Sequence, residues 1–140
     1  MDGEAPFEEL DRKPVAEPPV DPLLVQWARF RDRFGAAMQD GFWTLDDLEA
    51  KIAQKRAFFF PGHDAAMVGE IVAYPGGARS FQVLWACGTV EELLQMAPGV
   101  EAFARMLGCT DVLIEGEPGW KKLLEPLGYD LFSVTLHKAL

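Results

Sequence analysis

Apolar positions in the first third of the chain recur every three or four residues, the spacing that places them on one face of a helix. Asp21 and Pro22 are typical of a helix start, as the N-cap and the first helical residue. A second, short helix is predicted from the capping pair Thr44 and Asp47 to about Lys55. The stripe of the first helix consists of Leu23, Leu24, Trp27, Phe30, Phe34 and Met38.

Three extended segments rich in apolar and aromatic residues follow the two helices. They cover residues 56–60, 67–74 and 80–87, and turn signals that contain Pro and Gly separate them at 61–64 and 75–77. Turns this short join neighbouring antiparallel strands. The pattern therefore predicts a three-stranded meander.

The last third of the chain returns to helix and strand in alternation. Residues 89–92, Thr-Val-Glu-Glu, have the form of a complete capping box and open a helix that Pro98 should kink or split. A short strand at 111–115, a short helix at 119–127 and a closing strand at 129–137 follow. The predicted order is ααβββαβαβ, an α+β domain with a mixed, mostly antiparallel sheet flanked by helices.

Charge divides the chain into two parts. Residues 1–22 contain five of the ten prolines and seven of the 22 acidic residues, but only two of the 13 basic ones, Arg12 and Lys13. A segment of this composition buries too little apolar surface to fold alone. We therefore expect a flexible, acidic, Pro-rich leader at 1–22 and one domain at 23–140.

Composition excludes several classes of function. With a net charge of −9, the chain has no overall positive field that would attract nucleic acid. The sequence has no basic, apolar signal peptide and no apolar run of ~20 residues, so neither secretion nor membrane insertion is predicted. Two cysteines (Cys87 and Cys109) and two histidines (His63 and His137) make neither a disulfide framework nor a metal site. The sequence thus predicts a cytoplasmic protein that binds no metal.

The last third of the chain resembles a known fold family. The residues that carry the resemblance are Arg105–Cys109 leading into Asp111–Gly116, then Gly119-Trp120, Leu124, Leu127-Gly128-Tyr129 and the final Leu136–Leu140. With the order of elements they resemble the GNAT acetyltransferases, and more narrowly the small GNAT-like proteins of phages and prophages. The resemblance covers residues 23–140, although the usual first strand has no counterpart in the leader.

The resemblance implies an acyl-CoA site where two neighbouring strands splay apart. In the family, a Gln/Arg-x-x-Gly-x-Gly/Ala turn before the next helix holds the pyrophosphate on its backbone amides. The matching stretch here, residues 86–92, has only Gly88, and the acidic pair Glu91 and Glu92 opposes a phosphate at the helix end. The candidate cofactor-binding residues are Trp85, Gly88, Thr89 and Val90.

The resemblance also implies an acid and a base for acyl transfer to an amine. The family often places a Tyr four residues before the Gly of its Leu-Gly-Tyr element, and that position is Leu124 here. The strand 81–87 has no acidic residue, so Glu70 on the preceding strand is the candidate base. Tyr74 and Tyr129 are alternative acids.

Two further sets of residues allow a functional and a structural interpretation. Cys87 precedes a helix start that would favour a thiolate nucleophile, whereas its apolar neighbours favour a buried, inert thiol. Arg29, Arg31 and Arg33 could clamp an anion, but they lie opposite the apolar stripe and are typical of a solvated helix face.

These observations lead to two main hypotheses, and they leave open a third class, a small-molecule or regulatory antagonist-binding module. The first is a catalytically degenerate GNAT-like domain from a phage or prophage, which binds a protein partner such as a virion component, is virion-associated or cytoplasmic, and needs no cofactor. The alternative is an acyl-CoA-dependent N-acetyltransferase with a divergent cofactor loop, which uses acetyl-CoA. The first hypothesis predicts that acetyl-CoA does not stabilise the protein; the second predicts that it does.

Overall fold

The computed structural model describes residues 22–38, 42–116 and 119–140. The predicted leader, apart from Pro22, therefore lies outside the described residues. Their elements, in chain order, are α1 (Pro22–Ala37), α2 (Leu45–Ala53), β1 (Phe58–Pro61), β2 (Ala66–Ala73), β3 (Arg79–Cys87), α3 (Val90–Met106), β4 (Asp111–Ile114), α4 (Gly119–Leu124) and a 3₁₀ turn (Glu125–Leu127). Up to α4 this is the predicted order, and the α+β class is confirmed.

The two N-terminal helices form as the periodicity predicts. In α1 the buried residues are Trp27, Phe30 and Phe34, at the three- and four-residue spacing of one helix face. α2 begins after Thr44, whose hydroxyl accepts a hydrogen bond from the Asp47 amide at 3.1 Å. This bond satisfies one of the amides that a helix start leaves without a partner.

The strands form one sheet in the order β1-β2-β3-β4. β1 to β3 are antiparallel neighbours, as predicted, and β4 runs parallel to β3. The crossover between these two parallel strands is α3, which is the connection that parallel pairing requires. β4 is therefore the outer strand on that side of the described sheet.

Each face of the sheet carries its own apolar cluster. On the face covered by α1 and α2, the helix-pair cluster consists of Trp27, Phe30, Phe34, Met38, Leu48, Ala57, Phe59, Ala66 and Val68. On the opposite face, the α3 cluster consists of Ala65, Met67, Phe81, Val83, Leu93, Val100, Ala104 and Cys109. Two helical layers thus enclose the sheet, so its interior strands are buried on both faces.

The helix α3 is continuous from Val90 to Met106 although Pro98 lies inside it. Of the predicted kink or split at this point, the split is therefore wrong. Pro98 is exposed, whereas Ala97 and Val100 beside it are buried in the contact with the sheet. We infer that the packed face compensates for the single backbone hydrogen bond that a proline removes from a helix.

The predicted closing strand at Tyr129–His137 is also wrong. Residues 129–140 are all described, and none of them belongs to a strand. The segment has the alternation of a strand, but a strand forms only when its backbone groups bond to a neighbour. Phe132, Val134 and Leu136 instead remain 73%, 70% and 90% exposed.

Candidate functional site

The candidate site begins where β3 separates from β4. The two strands pair from Ser80 and Asp111 to Val83 and Ile114, and β3 then continues alone to Cys87. On its other side, β3 pairs with β2 along this whole length. The edge of β3 over residues 84–87 that would face β4 therefore has no strand partner among the described residues, and the gap between the two strands, here named the cleft, leads to the start of α3.

A β-bulge lies at the separation point. Val68 pairs with Trp85 and Gly69 with Val83, so Leu84 is an extra residue without a partner on β2. A bulge bends the strand and reverses the side-chain alternation beyond it. Accordingly, Phe81 and Val83 lie in the α3 cluster, whereas Trp85 and Cys87 pack against the helix-pair cluster. The sequence pattern, apolar at every odd position from 81 to 87, gave no signal of this reversal.

The turn between β3 and α3 is tightly packed. Gly88 has φ of +109°, and a Cβ there would lie 2.5 Å from the Cα of Ala65. Only glycine fits both the conformation and the space. The turn therefore brings the first amides of α3, those of Val90 and Glu91, to the end of the cleft. These amides have no hydrogen-bond partner inside the helix.

Thr89 caps α3, but the capping box is only half formed. Its hydroxyl accepts a hydrogen bond from the Glu92 amide at 3.3 Å, as predicted. The Glu92 carboxylate does not return to Thr89 as a complete box requires. It accepts hydrogen bonds from the amides of His63 at 2.6 Å and Asp64 at 2.9 Å, in the turn between β1 and β2.

Two arginines of α1 hold the same turn from the other side. Arg29 donates to the carbonyl oxygen of His63, and Arg33 donates to that of Asp64 at 2.9 Å. Both arginines are exposed, as the interpretation of a solvated helix face predicts, and they also bind this turn. Their guanidinium groups and Glu92 place charges of opposite sign around one turn, so the Glu92 charge does not stand unbalanced at the helix start.

Glu70, the candidate base, is engaged in an ion pair. Its carboxylate lies 2.7 Å from Lys51 Nζ of α2, with both side chains about four-fifths buried, at 21% and 22% exposure. Lys51 Nζ also lies 4.9 Å from the centre of the Trp43 ring. Glu70 pairs across the sheet with Gln82, before the point at which β3 leaves β4. The structure thus places Glu70 outside the cleft and gives its charge a partner.

Cys87 lies near the end of the cleft as a half-buried thiol. Burial raises its pKa, and the nearby Arg33 charge and a hydrogen bond with the Ala66 backbone offset this only in part. A thiol with a raised pKa is a poor nucleophile, because the thiolate is the reactive form. Cys109 is buried in the α3 cluster. The inert interpretation therefore fits both cysteines.

The candidate acids lie away from the cleft. Leu124 is buried, and Tyr74 is exposed just after β2, near the start of β3. Tyr129 lies beside Glu101 of α3, and burial together with that carboxylate raises the pKa of Tyr129 to about 12. It lines a cavity with Asp111, at the end of β4 opposite the separation point. The structure brings none of these residues to residues 84–90.

Among the described residues, no group of three potential metal-ligating side chains occurs. No helix in the described ranges is long and apolar enough to span a membrane.

Comparisons with known proteins identify the fold. No family model matches the sequence, and no curated protein matches it significantly. Among solved structures, a Trypanosoma brucei acetyltransferase superposes with a TM-score of 0.63 at 10% identity, over 83% of this chain and 94% of that one. Glucosamine-6-phosphate N-acetyltransferase from Arabidopsis thaliana gives 0.61 at 10% identity, over 83% and 92%.

A third match is ribosomal-protein-alanine N-acetyltransferase from Brucella melitensis, with a TM-score of 0.59 at 12% identity, over 83% of this chain and 95% of that one. Two of the three names specify a substrate, glucosamine-6-phosphate in one and ribosomal-protein alanine in the other. What they share with this chain is the arrangement of helices and strands. The domain therefore has the fold of the GNAT acetyltransferases.

Proposed function

We propose that this domain binds an acyl-CoA thioester in the cleft beside β3 and transfers its acyl group to an amine. The observation that carries the proposal is the open edge of β3 at residues 84–87, which leads to Gly88 and the first amides of α3. A bound acyl-CoA would supply an activated thioester carbonyl. This is the second of the two hypotheses from the sequence.

The backbone of the cleft suits the two ends of such a molecule. Free strand-edge amides and carbonyls at 84–87 can pair with the secondary amides of the pantetheine arm, as in strand addition. The amides of Val90 and Glu91 and the helix dipole favour the diphosphate. Arg33 adds a positive charge close by, since it bonds the Asp64 carbonyl oxygen that lies only 2.6 Å from where a Gly88 Cβ would be.

The chemistry leaves little for side chains to supply. The amine nitrogen would form a bond to the thioester carbon, the carbon–sulfur bond would break, and the proton lost by the amine would pass to the departing thiolate through water. The bulge at Leu84 would position the carbonyl beside the free strand edge. Neither Glu70 nor Tyr129 takes part in this scheme, because both lie elsewhere and have other partners.

A proline substitution tests the amide at the start of α3. Val90 is the first helical residue and is partly exposed, and Thr89 before it has the extended conformation, φ −76° and ψ 144°, that proline tolerates. Val90→Pro therefore removes one amide donor and keeps the helix. The control, Val90→Ala, keeps the amide donor and the helix. Isothermal titration with acetyl-CoA should show binding by the unchanged protein and Val90→Ala, and affinity about tenfold weaker for Val90→Pro.

Release of free CoA thiol in the presence of amine acceptors then tests transfer. No heat and no thermal stabilisation at millimolar acetyl-CoA would exclude the proposal. Equal affinity of the two Val90 variants would place the ligand elsewhere. Binding without turnover over a panel of peptide amino termini and polyamines would favour the second candidate.

That second candidate is a binding domain without catalysis. The observation in its favour is that the acid position holds the buried Leu124 and that the candidate base Glu70 is tied to Lys51. The proposed phage origin, a virion partner and a cytoplasmic location stay predictions. Neighbouring genes for head, portal or tail proteins would support them.

A further inference from the structure

Two of the three arginines of α1 carry charges that no carboxylate of the described residues neutralises. Arg31 Nε lies 2.7 Å from the Glu49 carboxylate. Arg29 and Arg33 form no ion pair with an acidic side chain in the described ranges. Both are exposed, one helical turn apart, with their guanidinium carbons 5.0 and 5.5 Å from the centre of the same buried Phe30 ring. Two like charges at this spacing repel each other, so the pair favours a bound anion.

Hydrogen bonds hold both guanidinium groups in place without neutralising them. Arg29 donates to the carbonyl oxygen of His63, and Arg33 donates to that of Asp64 at 2.9 Å. A guanidinium has five N–H donors. These bonds, together with one of 2.5 Å from Arg29 to Gln26, use only a minority of them. Guanidinium groups that are already positioned and have donors left are suited to the oxygens of phosphate and carboxylate groups.

The acidic side chains around this turn do not occupy the place of such an anion. Glu92 of α3 binds the amides of His63 and Asp64, on the side of the turn opposite the carbonyl oxygens. The Asp64 carboxylate lies 3.7 Å from His63 Nε2. Asp32, the acidic residue between the arginines, lies 3.9 Å from Arg31. The positive charge of the pair therefore remains available to a ligand.

Arg33 lies at the end of the cleft. The Asp64 carbonyl oxygen that it binds is 2.6 Å from the Cβ position of Gly88, and its charge opposes the pKa rise that burial causes at the Cys87 thiol. Both arginines belong to α1, which covers one face of the sheet, whereas α3, whose first amides suit the diphosphate, covers the other. A cofactor bound from the α3 side leaves the side of the arginines to the acceptor.

We propose that Arg29 and Arg33 bind a phosphate or carboxylate group of the acceptor, so that the substrate class is a small anionic amine. This inference rests on the proposed function. Strand residues rise by about 3.3 Å each, so Leu84, where the thioester carbonyl would lie, and Cys87, beside Arg33, are about 10 Å apart along β3. The amine and the anionic group of the acceptor should therefore be no more than about 10 Å apart.

Inorganic phosphate tests the anion site. It is titrated calorimetrically into the full chain saturated with acetyl-CoA, so that the diphosphate site is already filled. Arg29 is the residue to change, because Arg33 also lies near that diphosphate site. Arg29→Gln should bind phosphate about tenfold more weakly than the unchanged protein, and Arg29→Lys, which keeps the charge without the planar fork, should be intermediate.

Arg31→Gln is the matched control. It removes the same charge from the same helix, but Arg31 already has a carboxylate partner, so this variant should bind phosphate as the unchanged protein does. Equal weakening in Arg29→Gln and Arg31→Gln would overturn the inference, since only the overall charge would then matter. Absence of phosphate binding to the loaded protein would also overturn it, because the arginines would then serve the cofactor or no ligand.

Matched acceptors test the substrate class. O-phosphoethanolamine and ethanolamine differ only in the anionic group, and so do γ-aminobutyrate and butylamine. Release of free CoA thiol should give a KM about tenfold lower for the anionic member of a pair, and Arg29→Gln should abolish this difference. Equal KM values within a pair would contradict the inference while leaving acyl transfer intact. Failure to bind acetyl-CoA would instead exclude the proposed function, and the phosphate titration decides the inference even where neither pair is turned over.

Discussion

The turn between β1 and β2 and the segment after α4 are both irregular stretches beside the sheet. They differ in how many hydrogen-bond partners other elements supply to their backbone. In the turn, a carboxylate from α3 binds the amides of His63 and Asp64, and arginines from α1 bind their carbonyl oxygens. Beyond Tyr129, the segment lies exposed. The comparison shows that irregular backbone becomes fixed when several elements supply partners for its polar groups, whatever its own sequence favours.

The largest difference in unfolding free energy is expected between a phenylalanine buried in the sheet and one in the exposed segment after Tyr129. Phe81 is fully buried on β3, with the rings of Phe58, Phe60 and Phe103 within 6.3 Å. Phe81→Ala should cost about 3–5 kcal/mol of unfolding free energy. Phe132→Ala, at a 73% exposed position, should cost less than about 0.5 kcal/mol in urea melts at low protein concentration. Similar losses in the two variants would mean that the segment packs on the domain.

Substitutions at two glycines test how tightly the turn between β3 and α3 packs against Ala65. Gly88→Ala forces a side chain into φ of +109° and onto the Ala65 backbone, so we expect a loss of about 2–3 kcal/mol. Gly76→Ala is the control, because no atom lies within 4 Å of its Cβ position and its φ is not positive. Thermal melts that rank the control as the more damaging change would contradict the tight turn.

The cap of α3 should contribute less. Thr89→Ala removes the acceptor of the Glu92 amide and should cost about 1 kcal/mol, and Thr89→Gly should cost less at the cap. Thr135→Ala, at an exposed position of the C-terminal segment, is the matched control and should have no measurable effect. An unchanged urea midpoint for Thr89→Ala would show that α3 begins elsewhere.

The contact between Tyr129 and Glu101 predicts a pH dependence of stability in the alkaline range. Burial and Glu101 raise the pKa of Tyr129 from 10.0 to about 12, so the unfolded chain loses this proton first. The contribution of Tyr129 to stability is therefore complete below pH 10 and lost as the pH rises towards 12. Ultraviolet absorbance of the phenolate measures the titration. Glu101→Gln should lower the pKa, and no change in that variant would remove Glu101 as a cause.

The smallest effect is expected at the leader. Deletion of residues 1–20 should change the unfolding free energy by less than about 1 kcal/mol, because so charged and Pro-rich a segment buries little apolar surface. A loss above about 2 kcal/mol in urea melts would indicate that the leader packs as a further strand.

Local patterns predicted most of the fold. The stripe of Trp27, Phe30 and Phe34, the caps at Thr44 and Thr89 and the turns of the meander all depend on residues a few positions apart. Such interactions can be identified from sequence, since helix faces and turns repeat at fixed spacing. The predicted bounds of β1 to β4 accordingly agree with the structure within two residues, whereas the predicted strand at 129–137 does not form.

The candidate site was less predictable, because its geometry depends on contacts between distant parts of the chain. The bulge at Leu84 arises in the pairing of β2 with β3, and the continuous apolar run from Val83 to Cys87 gives no sign of it. Glu92 was interpreted as a helix-start charge, yet its partners come from a turn nearly thirty residues earlier. No pattern within α3 could indicate them.

The sequence by itself determined the helices, the meander, the α+β class and the position of Gly88 before α3, because short-range sterics and hydrophobic periodicity suffice for these. Only the tertiary structure decided that the pairing of β3 with β4 ends at Val83, that Glu70 forms an ion pair with Lys51, and that residues 129–137 form no strand. A strand or an ion pair exists only when a second group meets the first, and the position of that second group is a property of the whole fold.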